Sequence, residues 1–279
     1  MKLHTIHAGY LKLDGGAMFG VVPKALWNKQ YPADENNMIP LDMRLMLVEQ
    51  GDRKILINSG IGNKQSQKFF SHFHLHGDET IDKSLAKHGF NREDITDVFH
   101  THLHFDHCGG TIVYDEKENL VPAFPNATLW VTQKQWNWAN NPNEREAASF
   151  LKENILPMQE NGKLKIIDGS SEIAPGFKVR EYNGHTIGQA IPFIDVNGQT
   201  VVFTSDLLAF SNHIRVPWIM SFDIQPLVTL EEKKHFLREA ADNNYILFFE
   251  HDKYVECARL AETEKGIRLG ETFTLDQLQ

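Results

Sequence analysis

Cysteine is scarce: Cys108 and Cys257 are the only two in 279 residues. Two thiols cannot make a disulfide framework, so a reducing cytoplasm is the expected compartment. Basic runs are also missing. The chain carries 28 Lys and Arg against 37 Asp and Glu, a net charge of −9, and its strongest basic clusters are pairs such as Lys233-Lys234. Binding a nucleic acid requires a basic face to neutralise phosphates, so no nucleic-acid partner is expected. Apolar stretches such as 245–249 fall far short of the roughly 20 residues that span a bilayer, and Met1-Lys2-Leu3-His4-Thr5 has no apolar stretch that could serve as a signal peptide. No membrane partner is expected either. There is no repeat, low-complexity tract or Pro/Ser-rich linker. Residues 1–279 therefore read as one domain, and at 41% hydrophobic the chain can build a large core.

Strand-like segments recur throughout. Residues 45–49 and 54–57 read as a hairpin closed at 50–53. Further strands are expected at 97–100, 128–132, 163–167, 177–181, 190–196, 200–204 and 245–249. Asn197-Gly198 between two of them is a type I′ hairpin signal. Helices are expected at 80–88, ended by Gly89, and at 133–139, 144–154 and 230–243. Strand-rich halves separated by helices indicate an α/β protein with two sheets and helices packed outside.

What the chain has in excess is histidine, 14 residues. They concentrate in Phe99-His100-Thr101-His102-Leu103-His104-Phe105-Asp106-His107-Cys108-Gly109-Gly110. Side chains alternate faces along extended backbone, so His102 and His104 point the same way and can share one ion. Asp106 continues the alternation, and a following turn brings His107 beside it. Imidazole with carboxylate suits Zn²⁺, Fe²⁺ or Mn²⁺. Ordinary polar loop residues would not gather three histidines and an aspartate within six positions directly after an apolar strand. His72-Phe73-His74-Leu75-His76 also alternates, but it lacks the Asp-His step and reads as a surface or entrance loop.

Two metal shells need more donors, and these recur at strand ends. His185, in Gly184-His185-Thr186, is the candidate third nitrogen for the first metal. Asp206 ends the apolar strand Val201-Val202-Phe203-Thr204. A carboxylate can bridge two cations where a neutral imidazole cannot, so Asp206 is the candidate bridge. His251, after Ile246-Leu247-Phe248-Phe249-Glu250, would complete the second metal.

In this order the motifs, spanning about residues 45–252, resemble the metallo-β-lactamase superfamily of hydrolases. The resemblance implies a four-layer αβ/βα sandwich with a dinuclear site. It assigns His102, His104, His185 and Asp206 to one metal, and Asp106, His107, Asp206 and His251 to the other. Asp14-Gly15-Gly16-Ala17-Met18-Phe19-Gly20-Val21-Val22-Pro23-Lys24 with Leu26-Trp27 looks like the YtnP-type quorum-quenching lactonase branch. So does Asp206-Leu207-Leu208 followed by His213, Pro217-Trp218-Ile219-Met220, Asp223 and Pro226. One departure concerns metal affinity: Asn58 stands where the family often has an acidic residue that orients a ligating imidazole. Another is that Ala209 and Phe210 follow the bridging Asp where homoserine lactonases place a Tyr, so His213 is the expected substrate-side hydrogen-bonding group.

The resemblance implies two divalent cations, zinc foremost, that bridge a water and lower its pKa for attack on a small-molecule ester or lactone. Asp106 is the expected catalytic proton carrier. Met18 and Phe19, at the tip of a glycine-rich lid, and Trp218 are the expected substrate walls. An N-acyl homoserine lactone is the leading substrate class, and organophosphate or aryl-ester hydrolysis on the same site is the alternative. A flavin-linked oxidoreductase is disfavoured because no flavodoxin-like extension is seen. The expected assembly is a monomer or homodimer. Cys108, beside the site, reads as a small packing residue. Cys108→Ala is therefore expected to keep most hydrolase activity, while His104→Ala loses metal and activity together; substantial turnover by metal-free His104→Ala would sink the scheme.

Overall fold

The computed structural model describes residues 1–278. The chain is a mixed α/β protein organised as two compact units, each assembled from separated segments. The first comprises Met1–Tyr10, Met43–Ser171 and Gly188–Ala190; the second comprises Leu11–Asp42, Glu172–Ile187 and Ile191–Gln279.

A six-stranded sheet organises the first unit. Its order is Lys2–Asp14, Met38–Gln50, Arg53–Ile57, Asp97–Phe99, Thr128–Thr132 and Leu164–Ile167. The hairpin expected around residue 51 is present, with Leu47 paired to Leu56. From Arg53–Ile57 onward the neighbours are parallel, with Val98 between Leu56 and Leu129. Parallel strands carry apolar residues on both faces. Here Leu56, Val98, Leu129 and Val131 join Leu45, Leu47, Leu85 and Met158 in one buried cluster. Ile81–Lys87 is the expected helix, with Thr80 Oγ accepting from the Lys83 amide at its start.

The second unit is built on a seven-stranded sheet in the order Gly266–Phe273, Cys257–Thr263, Ile246–Phe248, Gln199–Phe203, Gln189–Val196, Phe177–Tyr182 and Ser171–Ala174. Asn197 and Gly198 both take positive φ (52° and 77°), as a type I′ turn requires. Phe193, Val202, Phe236, Leu237 and Leu247 share its core, which the helix Pro226–Asp242 covers on one side. One pairing decides the chemistry: Gln199–Phe203 and Ile246–Phe248 run parallel, with Phe203 opposite Phe248. Residues three positions beyond each, Asp206 and His251, therefore emerge at the same sheet end.

Three expectations are corrected, and one strand is added. Residues 144–154 are not one helix. A short turn at Ala147–Ser149 is followed by extended Phe150 and Leu151 before the helix Lys152–Glu160 begins; the Phe150 ring lies 4.9 Å from the His104 ring, which holds that break in place. The helix expected at 230–243 begins four residues earlier, with Pro226 in its first turn. Lys2–Asp14 is a further strand, not among those expected, with Gly9 at φ 111° inside it. The glycine-rich lid is absent: Gly15–Phe19 is a short helix with Met18 and Phe19 buried. Phe19 stacks on Trp27 at 5.1 Å and meets Trp218 edge-on at 5.6 Å, because an aromatic ring gains more in a packed cluster than at a solvated tip.

Gly109 and Gly110 let the loop after His107 lie directly on residues 59–62. A Cβ on Gly110 would stand 2.1 Å from the Ser59 carbonyl oxygen. Gly110→Ala is expected to cost about 1–3 kcal/mol through this overlap. Gly89→Ala, at φ 80° but in open space, should cost about 1 kcal/mol, the strain of a left-handed backbone alone. Urea unfolding of the two variants checks the order.

Candidate metal centre

The first unit presents its donors on the segment after Asp97–Phe99. His102 and His104 sit 4.5 Å apart, and His102 and His107 3.9 Å apart, between ring centroids. The turn Phe105–Cys108 carries Asp106 and His107, whose Oδ2 and Nε2 lie 3.6 Å apart. The expected same-face placement and the turn after Asp106 are both present. His100 is a core residue instead. Its Nε2 lies 2.7 Å from Thr111 Oγ1, and burial pulls it down to about 4.

The second unit supplies His185, Asp206 and His251. One Asp206 oxygen lies 3.1 Å from His185 Nε2 and the other 3.4 Å from His251 Nε2. Two donors at about 2.0–2.1 Å from a tetrahedral cation stand roughly 3.3 Å apart. The spacings within each unit thus match pairs of donors arranged around a metal ion, with the two Asp206 oxygens facing different histidines. Burial lowers the His185 imidazole, but the Asp206 and Asp223 carboxylates outweigh it and push it up to about 10. The same field attracts a metal cation.

A histidine ligates through one nitrogen, and its other N–H needs an acceptor. His104 Nε2 donates to Glu146 Oε1 at 2.7 Å, which directs Nδ1 toward a metal. His185 Nδ1 donates to Asp223 Oδ1 at 2.9 Å, and His251 Nδ1 to the Asp42 carbonyl at 2.9 Å. His102 Nδ1 meets Thr101 Oγ1 at 3.1 Å, a hydroxyl with a lone pair to accept its N–H and Asn58 Oδ1 at 3.1 Å to take its own proton. Sequence reading missed Glu146 as a functional residue and gave Asp223 no role. Glu146 lies 42 residues from His104, and Trp138 Nε1 donates to its second oxygen at 2.6 Å. No local motif marks it.

The substrate-side candidates lie in the second unit. His213 is buried, with Nε2 3.0 Å from the Met18 carbonyl. This hydrogen bond ties the turn Ser211–Ile214 to the helix Gly15–Phe19. Ser211 is held in turn by Asp252, next to His251, through its amide and hydroxyl. Trp218 is also buried, and Lys233 Nζ grips its carbonyl at 2.5 Å. Cys108 behaves as expected: buried, its thiol pushed up to about 12 by burial, with Sγ donating to the Leu103 carbonyl. Among the described residues, His72, His74 and His76 join no group of metal donors. The ring of Phe73 packs on Phe105 at 4.8 Å, so this segment supports the motif from outside. No helix among the described residues is long and apolar enough to cross a membrane.

Strand ends carrying His-x-His-x-Asp-His, a Gly-His-Thr turn, an Asp and a His define a metal-binding hydrolase. A family model, the metallo-beta-lactamase superfamily, matches residues 45–262. The chain belongs to that superfamily and is one of its hydrolases. It is 26% identical over 264 residues to an N-acyl homoserine lactonase from a Bacillus species, covering 90% of this chain and 93% of the relative. A solved structure described as a probable metal-dependent hydrolase from Staphylococcus aureus is 30% identical, with a TM-score of 0.89 over 98% of this chain and 96% of that one. AidC, a dizinc quorum-quenching lactonase in complex with a homoserine product, shares the fold at a TM-score of 0.78 and 22% identity, covering 98% of this chain and 95% of its own.

Glu146→Gln keeps the shape of the side chain but removes the charge that orients His104. It is expected to weaken metal binding about 10–100-fold with folding intact. Competition against a chromophoric chelator measures this; unchanged affinity would show that Glu146 has no part in holding metal.

Proposed function

We propose that this hydrolase opens lactones, with N-acyl homoserine lactones as the leading class, at a site for two divalent cations of which zinc is the best match to the donors. His102, His104, His185 and Asp206 would hold one cation, and Asp106, His107, Asp206 and His251 the other. The observation that carries the metal reading is the Asp206 carboxylate, which gives one oxygen to His185 and the other to His251. A lone ion pair has no need of this forked arrangement, and a bridging ligand does. The lactone reading is supported by relatives named N-acyl homoserine lactonase that align over 90% or more of the chain.

When bound, the cations would supply Lewis acidity toward the carbonyl and acidify a water to near-neutral pKa. The protein's own contributions follow from its side chains. Asp106 has a carboxylate oxygen to accept the proton from the attacking water and pass it to the leaving alkoxide. Glu146, Asp223 and the Asp42 carbonyl fix the imidazoles, so donor geometry costs no rearrangement during turnover. No Ser or Cys nucleophile is required, in keeping with the inert, buried Cys108 thiol. Trp218 and His213, backed by Met18 and Phe19, form the substrate-side wall. The small-molecule substrate is met by a monomer or homodimer in the cytoplasm.

A panel of lactones, aryl esters and phosphotriesters, assayed on protein of measured metal content, tests the substrate class. Lactones are expected to give the highest kcat/KM, and Asp106→Asn to lower it by about 10² or more. Phosphotriester hydrolysis without lactone hydrolysis would overturn the lactone reading in favour of the organophosphate alternative.

A further inference from the structure

Four of the five imidazoles in the proposed metal set face an acceptor on their second nitrogen. His107 faces a donor. Its Nδ1 lies 3.1 Å from Asn58 Nδ2, and the orientation of that amide is fixed by its other end. The Thr101 backbone N–H, which can only donate, reaches Asn58 Oδ1 at 2.9 Å. The Thr101 hydroxyl lies 3.1 Å from the same oxygen and 3.0 Å from Nδ2, so it accommodates either end and the backbone N–H decides. The NH₂ end is therefore the one turned to His107.

An amide NH₂ offers no acceptor lone pair. His107 Nδ1 must accept from it, and the single proton of the neutral ring then resides on Nε2. Yet Nε2 is the nitrogen on the side of Asp106, 3.6 Å from its carboxylate, where ligation would occur. To ligate there, the ring must carry its proton on Nδ1 instead, which sets N–H against N–H at 3.1 Å. Turning the Asn58 amide over relieves that contact but sets NH₂ against the Thr101 N–H at 2.9 Å. Asn58 and His107 are both 0% exposed, so water cannot replace the lost hydrogen bond.

We infer that Asn58 is a positioning residue that sets two unequal metal affinities, by holding His107 in the tautomer opposed to ligation. Resting on the proposed ligand set, this gives one cation held tightly by His102, His104, His185 and Asp206. The second, held through Asp106, His107 and His251, binds about 10–100-fold more weakly and exchanges readily. A carboxylate at position 58 would accept from Thr101 N–H and His107 Nδ1–H together and remove the conflict. The backbone allows the change: Asn58 sits at φ 62°, a conformation that both Asn and Asp tolerate.

The test uses the full chain with Zn²⁺ as the probe. Nitrogen-15 NMR of the metal-free wild type is expected to show His107 protonated on Nε2, a signature that a merely structural asparagine would not fix. Chelator competition is expected to resolve two dissociation constants about 10–100-fold apart. In Asn58→Asp the His107 proton should move to Nδ1, and the weaker constant should tighten at least about tenfold. A wild-type His107 protonated on Nδ1, or two equal zinc constants in the wild type, overturns the role of Asn58 while leaving the proposed function standing. Failure of the wild type to bind zinc at all overturns both. The wild-type measurements decide the matter even if Asn58→Asp does not fold.

Discussion

A neutral imidazole has one proton and two nitrogens, and a metal can take only the bare one. Every histidine ligand therefore imposes a second requirement: an acceptor, held at a fixed place, for the N–H on the far side of the ring. Much of the surrounding structure answers that requirement. Glu146, Asp223 and the Asp42 carbonyl come from three separate parts of the chain, and each lies 2.7–2.9 Å from the histidine it serves. Thr101 does the same for the residue next to it. In water such hydrogen bonds would compete with solvent; in these buried positions they determine which nitrogen is available.

The sheets meet the requirement by simple register. Phe203 and Phe248 are paired in parallel strands, so a side chain three residues past each arrives at the same end. The glycines after His107 serve the other half of the donor set. Gly109 and Gly110 bring the loop so close to residues 59–62 that a methyl group at either would overlap a carbonyl oxygen. Ser59 fixes this contact, its amide donating to the His107 carbonyl at 2.7 Å. The apolar cores of the two units thus act on chemistry indirectly, by leaving strand ends no freedom to move.

How much of this was legible in sequence depends on how local each feature is. The candidate donors could be picked out because each follows an apolar strand within a few residues, and the His-x-His-x-Asp-His spacing carries its own geometry. The hairpin at Asn197-Gly198 was legible because two consecutive positive φ angles demand those residue types. Glu146 was not, because its importance comes from a ring 42 residues away. Phe19 was misread as a lid tip because flanking glycines look the same whether they confer mobility or close packing; Gly15 is in fact pressed against the Trp27 ring, where a Cβ would stand 2.4 Å away. The substitution at Asn58 was visible as a lost charge. Its sharper consequence, a donor where an acceptor is needed, depends on the amide orientation imposed by Thr101.

The buried acids complete the picture. Asp106, Glu146, Asp206 and Asp223 are each at most 8% exposed, and each lies within 3.6 Å of a histidine nitrogen. Burying a carboxylate costs several kcal/mol unless opposite charge and hydrogen bonds offset it, so four of them in one part of the molecule call for nearby positive charge. The two divalent cations of the proposed function would carry such charge. Such a set of acids is tolerable if metal binding supplies part of the folding free energy, as metal sites commonly do.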